Sequence, residues 1–230
     1  MTPVLDPAVL RTAIAAWGFD EADQLPRRGD DLVADGPVAK RQASAVMLVL
    51  LEHPTGVRLL LTQRAPHLPK HPGQISFPGG RAEPLDADLL ETARRETAEE
   101  VGLALERSDV IAALPRYATR TGFDIAPFVA LVPPPTAWHT QASEVSAVFE
   151  EPLETFLHPE RWRRDGAMFN GQNLRHWWAM DLGERYLWGA TAAMLHDFAR
   201  DLSAALDRPF PPDQLDASTP ASVPAARSSK

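Results

Sequence analysis

The sequence predicts an α/β domain, because strand patterns and helix patterns alternate along it. Two apolar runs of strand length, Ala43–Leu51 and Val57–Gln63, flank a His-Pro-Thr-Gly turn and indicate a β-hairpin. Leu89–Val101 has apolar residues at helical spacing, follows Asp88 and stops at Gly102, so both ends of a helix are marked. The predicted fold class rests on these observations.

The N-terminal region is predicted to be a helix followed by an irregular arm. Asp6 and Pro7 form an N-cap and a first-turn proline for a helix over Ala8–Trp17. Residues 18–40 carry scattered charge, glycine and proline without a regular apolar period. We therefore expect residues 1–40 to lie outside the main domain.

The remainder of the chain is predicted to add three strands and one long helix. The strand candidates are Val110–Leu114, Ile125–Val132 and Val145–Phe149. Arg185–Leu206 begins with a strand pattern and continues as an amphipathic helix. We place the main domain at residues 41–208 and expect the Pro-, Ser- and Ala-rich residues 209–230 to be a disordered tail.

The composition excludes several function classes. The chain has no cysteine, which rules out disulfides, thiolate nucleophiles and cysteine-ligated zinc. A formal net charge of −8 argues against nucleic-acid binding through a general basic surface. We expect no signal peptide, and no apolar run approaches the roughly 18 residues of a membrane span. The sequence thus predicts a soluble cytoplasmic protein with a small-molecule partner, no nucleic-acid or membrane partner, and a homodimer left open.

The candidate functional residues lie on an acidic face of the predicted helix Leu89–Val101. At about 100° per residue, three carboxylates share that face near the C-terminal end of the helix. They belong to Glu96, Glu99 and Glu100. The helix dipole disfavours negative charge there, so the cluster indicates a bound cation such as Mg²⁺ or Mn²⁺, or else a solvated surface. Arg95 is spaced to pair with Glu91 or Glu99.

Together with the glycines before it, this helix resembles the Nudix box, G-x5-E-x7-R-E-U-x-E-E-x-G-U, in which U is apolar. The matching residues are Gly80, Arg95, Glu96, Glu99, Glu100, Gly102 and Leu103. Gly80 and Arg95 are one residue further apart than in the box, and Asp86 or Asp88 stands near its first glutamate. Thr97 occupies a position that is apolar in the box.

The resemblance to Nudix hydrolases implies an α/β/α sandwich with a mixed sheet and hydrolysis of a nucleoside diphosphate linked to another group. It also implies Mg²⁺ or Mn²⁺ as cofactor, held by Glu96, Glu99 and Glu100. The implied catalytic residues are Glu96, Glu100 and Arg95, with either glutamate as the general base that accepts a proton from water.

The segment before the box has no acidic residue from His53 to Ala82, yet it contains Arg64 and Lys70. Such a stretch suits the phosphates of a substrate, although Arg64 could equally end a strand and the prolines shape a loop. The segment resembles the motif L-L-T-x-R-(S/A)-x3-R-x3-G-x3-F-P-G-G of the coenzyme A pyrophosphatase branch, with Pro69 at the second arginine. The resemblance implies substrate binding by Arg64, Lys70, Phe77, Gly79 and Gly80.

Weaker resemblance to this branch continues to about Phe198. Glu144 is expected either to reach the cleft as a metal ligand or base, or to be a loop residue in water. Trp177 and Trp178 are expected to stack on an adenine or to pack in the core, and Trp188 is expected to pack.

The predicted function is hydrolysis of coenzyme A or acyl-CoA to 3′-phospho-AMP and (acyl-)4′-phosphopantetheine. One alternative is a Nudix hydrolase for ADP-ribose, a dinucleotide such as NADH, or a nucleoside triphosphate. Another is a catalytically silent nucleotide-binding module, which we expect to have lost a box carboxylate. The full set of box carboxylates in this chain favours an enzyme.

Overall fold

A mixed sheet lies at the centre of the computed structural model, which describes residues 5–17, 28–29, 41–68, 71–169 and 173–210. Its strands within these ranges are β1 Arg28–Gly29, β2 Gln42–His53, β3 Gly56–Arg64, β4 Ile75–Ser76, β5 Gly79–Arg81, β6 Val110–Ala113, β7 Tyr117–Ala118, β8 Phe123–Val132 and β9 Val145–Pro152. A smaller antiparallel sheet contains β10 Arg163–Phe169, β11 Asn173–Leu182 and β12 Arg185–Trp188.

Three α-helices accompany the sheets in the described ranges. They are α1 Pro7–Ala15, α2 Leu89–Val101 and α3 Gly189–Ala205. Short 3₁₀ turns cover Arg107–Asp109, Leu153–Leu157 and Pro159–Arg161. Within the described part of the chain, no helix is both long and apolar enough to span a membrane.

The order of the central sheet follows from its two longest strands. β2 pairs in parallel with β8 along one edge, and its other edge pairs with β3 near its end and with β5 near its start. The predicted hairpin is confirmed: β2 and β3 are antiparallel around a turn at Pro54 and Thr55. β9 adds to the far edge of β3, so the sheet is mixed.

Alternation along β2 divides the core into two layers. Ala45 and Met47 face the α2 side, where Leu90, Ala93 and Val101 of that helix complete one apolar cluster. A second cluster on the opposite face includes Leu48 and Leu50 of β2. Buried side chains of α1 and α3 join that cluster, among them Leu10, Ile14, Leu195 and Phe198. The α/β/α arrangement predicted from the resemblance is therefore confirmed.

Two parts of the sequence prediction differ from the structure. The predicted N-terminal region is not wholly separate, because Leu10 and Ile14 of α1 are fully buried in the main core. The β10–β11 hairpin was not predicted, since its strands contain Gly166 and several charged residues in place of an apolar run. The predicted arm at 18–27 and 30–40 and the predicted tail from 211 onward lie outside the described residues.

Candidate active site

The acidic helix α2 is fixed at both ends. Asp88 caps its start by accepting a hydrogen bond from the Glu91 backbone N–H at 2.8 Å. Gly102 ends it in the left-handed region at φ 74°, with its N–H bonded to the Ala98 carbonyl. Thr97, at the position that is apolar in the box, is buried and donates its hydroxyl to the Ala93 carbonyl at 2.7 Å. The directions in which the glutamate side chains of α2 point are therefore fixed.

Glu100 is the most deeply buried carboxylate of the acidic face. It is 4% exposed, and its Oε2 accepts a hydrogen bond from the Gly79 backbone N–H at 3.3 Å. Gly79 has φ 154°, and a Cβ there would collide with the backbone of Ala45 and Val46. Only glycine allows β5 to pass this close to β2 while its N–H faces Glu100.

Gly80 makes room for the Glu96 carboxylate. A Cβ at Gly80 would overlap both carboxylate oxygens of Glu96. The Glu96 side chain is 15% exposed, and its Oε1 lies 3.2 Å from Arg95 Nη1. The two adjacent glycines thus seat two different carboxylates of α2.

Arg95 holds several carboxylates in position. Its Nε and Nη2 donate to the two oxygens of Asp86 at 2.9 and 3.1 Å, and its Nη1 donates to Glu99 at 3.1 Å. Of the two partners expected for Arg95, Glu99 is confirmed, whereas Glu91 pairs with Arg94. These contacts are those of a positioning residue, and the predicted catalytic role of Arg95 stays a prediction.

Asp86 and Asp88, the two aspartates near the position of the box's first glutamate, have different contacts in the structure. Asp86 binds Arg95 and also accepts from Thr92 Oγ1 and the Glu83 N–H, whereas Asp88 caps α2 and pairs with Arg107. The Arg95 guanidinium holds the pKa of the Asp86 carboxyl well below its usual range. Gly80 and Asp86 keep the five-residue spacing of the box, so the extra residue lies between Asp86 and Arg95.

Burial and like charge act together on Glu96 and Glu100. Burial, together with the negative charges of Glu96 and Glu144, raises the pKa of Glu100 to about 8. The hydrogen bond from Gly79 and the positive charge of Arg64 act in the opposite direction. Burial also raises the pKa of Glu96, against the nearby charge of Arg95 and with the help of Glu99 and Glu144. Glu96, Glu100 and Glu144 therefore interact as one group of carboxylates, whose negative charge Arg95 and Arg64 offset only in part.

Glu144 is brought to α2 by the loop after β8. The N–H groups of His139 and Gln141 in this loop donate to the carbonyls of Val101 and Glu100, each at 3.2 Å. The Glu144 carbonyl in turn accepts from the Ala65 N–H at 2.8 Å. The loop thus uses the free carbonyls at the end of α2 to hold Glu144 between that helix and the end of β3.

Arg64 is a cation whose charge acts on this group of carboxylates. It ends β3 where a bulge in the β3–β9 pairing occurs, opposite Val145. Its charge opposes the rise in the Glu100 pKa, and its Nε is buried with no hydrogen-bond partner among the described residues. A buried guanidinium N–H without an acceptor is costly, which suits a site that receives an anionic oxygen.

Comparison with known proteins identifies the family. A family model described as NUDIX domain matches residues 40–178. The chain is 37% identical over 160 residues to a protein of Enterobacter sp. (strain 638) named Uncharacterized Nudix hydrolase NudL, covering 70% of this chain and 82% of that one. A protein of the same name from Salmonella paratyphi B is 40% identical over 161 residues, with the same coverage. The chain belongs to the Nudix family.

A solved structure supports the Nudix fold. The MutT/nudix family protein from Enterococcus faecalis aligns with a TM-score of 0.50 and 13% identity, covering 76% of this chain and 68% of that one. At this identity the likeness concerns the fold alone.

The other predicted site residues have different outcomes. Phe77 is 2% exposed in the core cluster, so its ring is packed away from the Nudix helix face rather than offered to substrate. Gly79 and Gly80 have a clear structural role, and their contact with substrate stays a prediction. Lys70 and Pro69 lie outside the described residues. Trp188 was expected to pack; its ring lies against those of Trp177 and Tyr186, although the residue is 36% exposed.

Nudix hydrolases generally use divalent cations such as Mg²⁺ or Mn²⁺. In the ranges that the structure describes, no three acidic or histidine side chains are already gathered closely enough to hold a metal ion. The predicted metal-binding residues Glu96, Glu99 and Glu100 do not share one environment, because the Glu99 side chain is 49% exposed and pairs with Arg95. Glu96, Glu100 and Glu144 nevertheless offer oxygen donors and an excess of negative charge, and both fit a hard divalent cation.

Proposed function

We propose that this Nudix hydrolase cleaves the diphosphate bond of coenzyme A or acyl-CoA with the help of a divalent cation. The observation that carries the proposal is the group of Glu96, Glu100 and Glu144 beside Arg64. Glu96 and Glu100, whose pKa values are raised by burial and by neighbouring carboxylates, supply oxygen ligands together with Glu144, and the buried Arg64 Nε, which has no acceptor among the described residues, supplies a phosphate contact.

Each residue has a task in the proposed reaction, and one glutamate has two. Glu96, Glu100 and Glu144 would hold the cation, which would neutralise phosphate oxygens and make an attacking water more acidic. Arg64 binds a phosphate that does not react. The water oxygen forms a bond to one phosphorus while the bond from that phosphorus to the bridging oxygen breaks. Glu96 or Glu100 accepts the proton, and both halves leave as phosphate monoesters.

Coenzyme A is proposed because of the segment that precedes the box. Leu60, Leu61 and Thr62 lead into Arg64 at the end of β3, and the Phe-Pro-Gly-Gly run places Gly79 and Gly80 against the catalytic carboxylates. Both ends of the motif that resembles the coenzyme A branch therefore meet at the proposed site. This meeting supports a role for the motif in handling substrate.

A substrate panel tests the proposal. The purified protein is incubated with Mg²⁺ or Mn²⁺ and with coenzyme A, ADP-ribose, NADH or a nucleoside triphosphate, and products are identified by mass. We expect 3′-phospho-AMP and 4′-phosphopantetheine from coenzyme A at the highest kcat/KM. A preference for ADP-ribose or NADH would replace the substrate but keep the enzyme class, and no hydrolysis of any compound would favour the silent binding module.

A further inference from the structure

The long strands β2 and β3 are joined directly next to their turn and through a third segment further along. In the ranges that the structure describes, residues 50–53 of β2 pair with residues 56–59 of β3. Toward the proposed site, β4 pairs with β3 and β5 pairs with β2. Residues 75–81, which contain β4 and β5, therefore lie between the two long strands. We call these residues the connecting segment.

The connecting segment joins the two charged parts of the proposed site. On its β2 side, the Gly79 N–H donates to Glu100. Gly80, the next residue, leaves room for the Glu96 carboxylate. On its β3 side, the segment pairs with the strand that ends at Arg64. The distance from the Arg64 guanidinium to the two carboxylates therefore depends on how the connecting segment is held to β3.

The pairing between β4 and β3 is short, and a side chain reinforces it. Two residue pairs form it, one of which joins Thr62 to Ser76. The Thr62 hydroxyl donates to the Ser76 carbonyl at 3.1 Å, and its oxygen lies 3.0 Å from the Ser76 hydroxyl oxygen. On its other edge, β3 pairs with β9 from residue 58 to residue 64. β9 therefore fixes β3 independently of Thr62, whereas the connecting segment reaches β3 through this short pairing.

Thr62 is a polar residue in an apolar part of β3. It follows Leu59, Leu60 and Leu61, and it is 1% exposed. A buried hydroxyl is costly unless it is hydrogen-bonded, and valine would fill the same volume with a similar preference for strands. The core therefore does not require a hydroxyl at this position. What threonine adds over valine is the pair of contacts with Ser76.

Thr62 and Arg64 lie on the same face of β3. Side chains alternate along a strand, and Leu60, two residues before Thr62, belongs to the apolar cluster on the α2 side. The charge of Arg64 opposes the rise in the pKa of Glu100, in agreement with this placement. The hydrogen bonds of the Thr62 hydroxyl go to Ser76. Thr62 therefore acts on the site through the connecting segment and not through a contact with Arg64.

We propose that Thr62 is a positioning residue, which holds the connecting segment against β3 through Ser76 and so fixes Arg64 relative to Glu96 and Glu100. Thr62 itself touches neither substrate nor cation. The inference rests on the proposed function, because it takes Arg64 as the phosphate contact and the two glutamates as part of the cation site.

Thr62→Val tests the proposal, because it keeps the shape of the side chain and removes the hydroxyl. kcat/KM is measured with Mg²⁺ and with the substrate that the wild type hydrolyses best. We expect a decrease of about tenfold, since a misplacement of 1 Å can lower the rate by about a hundredfold. Thr62→Ser, which keeps the hydroxyl, should stay within about twofold of the wild type. Wild-type kcat/KM in Thr62→Val would overturn the inference.

A double-mutant cycle separates positioning from a general loss of stability. Arg64→Ala alone is expected to lower kcat/KM about tenfold to a hundredfold. In the Arg64→Ala background, Thr62→Val should cost less than about threefold, because the residue to be positioned is absent. An equal loss in both backgrounds would overturn the inference and leave the proposed function intact. An unchanged kcat/KM in Arg64→Ala alone would remove Arg64 from the proposed site and overturn both.

Thr119→Val is the matched control. Thr119 is also a buried threonine, 5% exposed, and its hydroxyl oxygen accepts from the Phe123 N–H at 2.9 Å in the turn before β8. We expect Thr119→Val to lower the melting temperature and to leave kcat/KM unchanged. A loss of kcat/KM equal to that of Thr62→Val would show that reduced stability causes the effect, and the inference would be wrong.

Ser76→Ala tests the same contact from the other side, and it decides the question if Thr62→Val does not fold. It removes the Ser76 hydroxyl but leaves the carbonyl to which Thr62 donates. We expect kcat/KM to fall about threefold, less than in Thr62→Val, and to fall no further when Arg64→Ala is already present. A loss that persists in the Arg64→Ala background, or no loss at all in a variant that folds, would overturn the inference.

Discussion

Glu99 and Glu100 are neighbours in the chain but have opposite environments. The Glu99 side chain is 49% exposed and pairs with Arg95, whereas Glu100 is 4% exposed and accepts a hydrogen bond from Gly79. A rotation of about 100° along the helix separates the two side chains. That rotation turns one carboxylate toward β5 and the other toward solvent, and so distinguishes two residues of the same type.

This difference predicts unequal effects of the same substitution. Glu100→Gln is expected to lower kcat about 100-fold or more, as loss of a metal ligand or base typically does. Glu99→Gln is expected to lower it less than about tenfold, because its carboxylate faces Arg95 and water. Steady-state rates with Mg²⁺ measure both, with circular dichroism as the check on folding. Equal losses would show that Glu99 shares the role of Glu100.

A second prediction at this scale concerns Asp86. Asp86→Asn is expected to destabilise the fold at pH 7 by about 1–3 kcal/mol, since it leaves Arg95 without its main partner. The pKa of Asp86 is lowered in the folded state, so its contribution is present in full above the unfolded pKa of about 3.9, begins to decline below that pH, and is lost only as the pH falls through the lower pKa of the folded state. Urea unfolding of both proteins at pH 7 and at a series of values down to about pH 2 measures this. A difference in stability that did not shrink between about pH 4 and about pH 2 would contradict the ion-pair explanation.

Sequence reasoning located the acidic residues but not all their partners. The glutamates of α2 were predicted because helical spacing and the box fix them relative to one another. Asp86 could not be distinguished from Asp88, since the choice depends on where an extra residue bulges before α2. The burial of Phe77 was missed, because an aromatic residue beside Pro-Gly-Gly has the same sequence signal in a core as in a cleft.

At the scale of elements, β5 and α2 form one unit. β5 contributes two glycines: Gly79 allows close approach to β2, and Gly80 leaves room for the Glu96 carboxylate. α2 contributes the carboxylates that occupy this space. The helix and the β2–β3 hairpin were predicted from apolar period and turn residues. The β10–β11 hairpin was not, because strands that pair Asp165 with Trp177 and Arg164 with Trp178 show no apolar run.

The close approach of β5 to α2 predicts the effect of a single methyl group. Gly80→Ala is expected to displace the Glu96 carboxylate and to lower kcat about tenfold to a hundredfold, because small displacements of catalytic groups cost this much. Gly183→Ala, in the turn between β11 and β12, is the control: its φ of 65° disfavours alanine, but no atom lies within 4 Å of the added carbon. It should lower stability and leave kcat unchanged. Wild-type kcat in Gly80→Ala would show that Glu96 does not need its present position.

At the scale of the whole molecule, a net charge of −8 surrounds a site that itself concentrates carboxylates. The two apolar layers on either face of the central sheet stabilise the fold, so the protein can hold Glu96 and Glu100 in mutual repulsion. This repulsion is relieved when a cation binds the folded site, which the unfolded chain cannot offer in the same geometry.

Divalent cations are therefore expected to raise the melting temperature. At a cation concentration of about 100 times Kd, binding adds about 2.7 kcal/mol, and for a domain of this size each kcal/mol raises Tm by about 2–4 °C. The shift expected with Mg²⁺ or Mn²⁺ is thus about 5–11 °C over the protein in EDTA. Glu96→Gln/Glu100→Gln should lose this shift while melting in EDTA no lower than wild type, because the substitution removes the repulsion as well as the ligands. Glu99→Gln, which alters the exposed neighbour, should keep most of it. An undiminished shift in the double variant would place the cation elsewhere on this acidic protein, and the proposed metal-assisted hydrolysis would then lack its site.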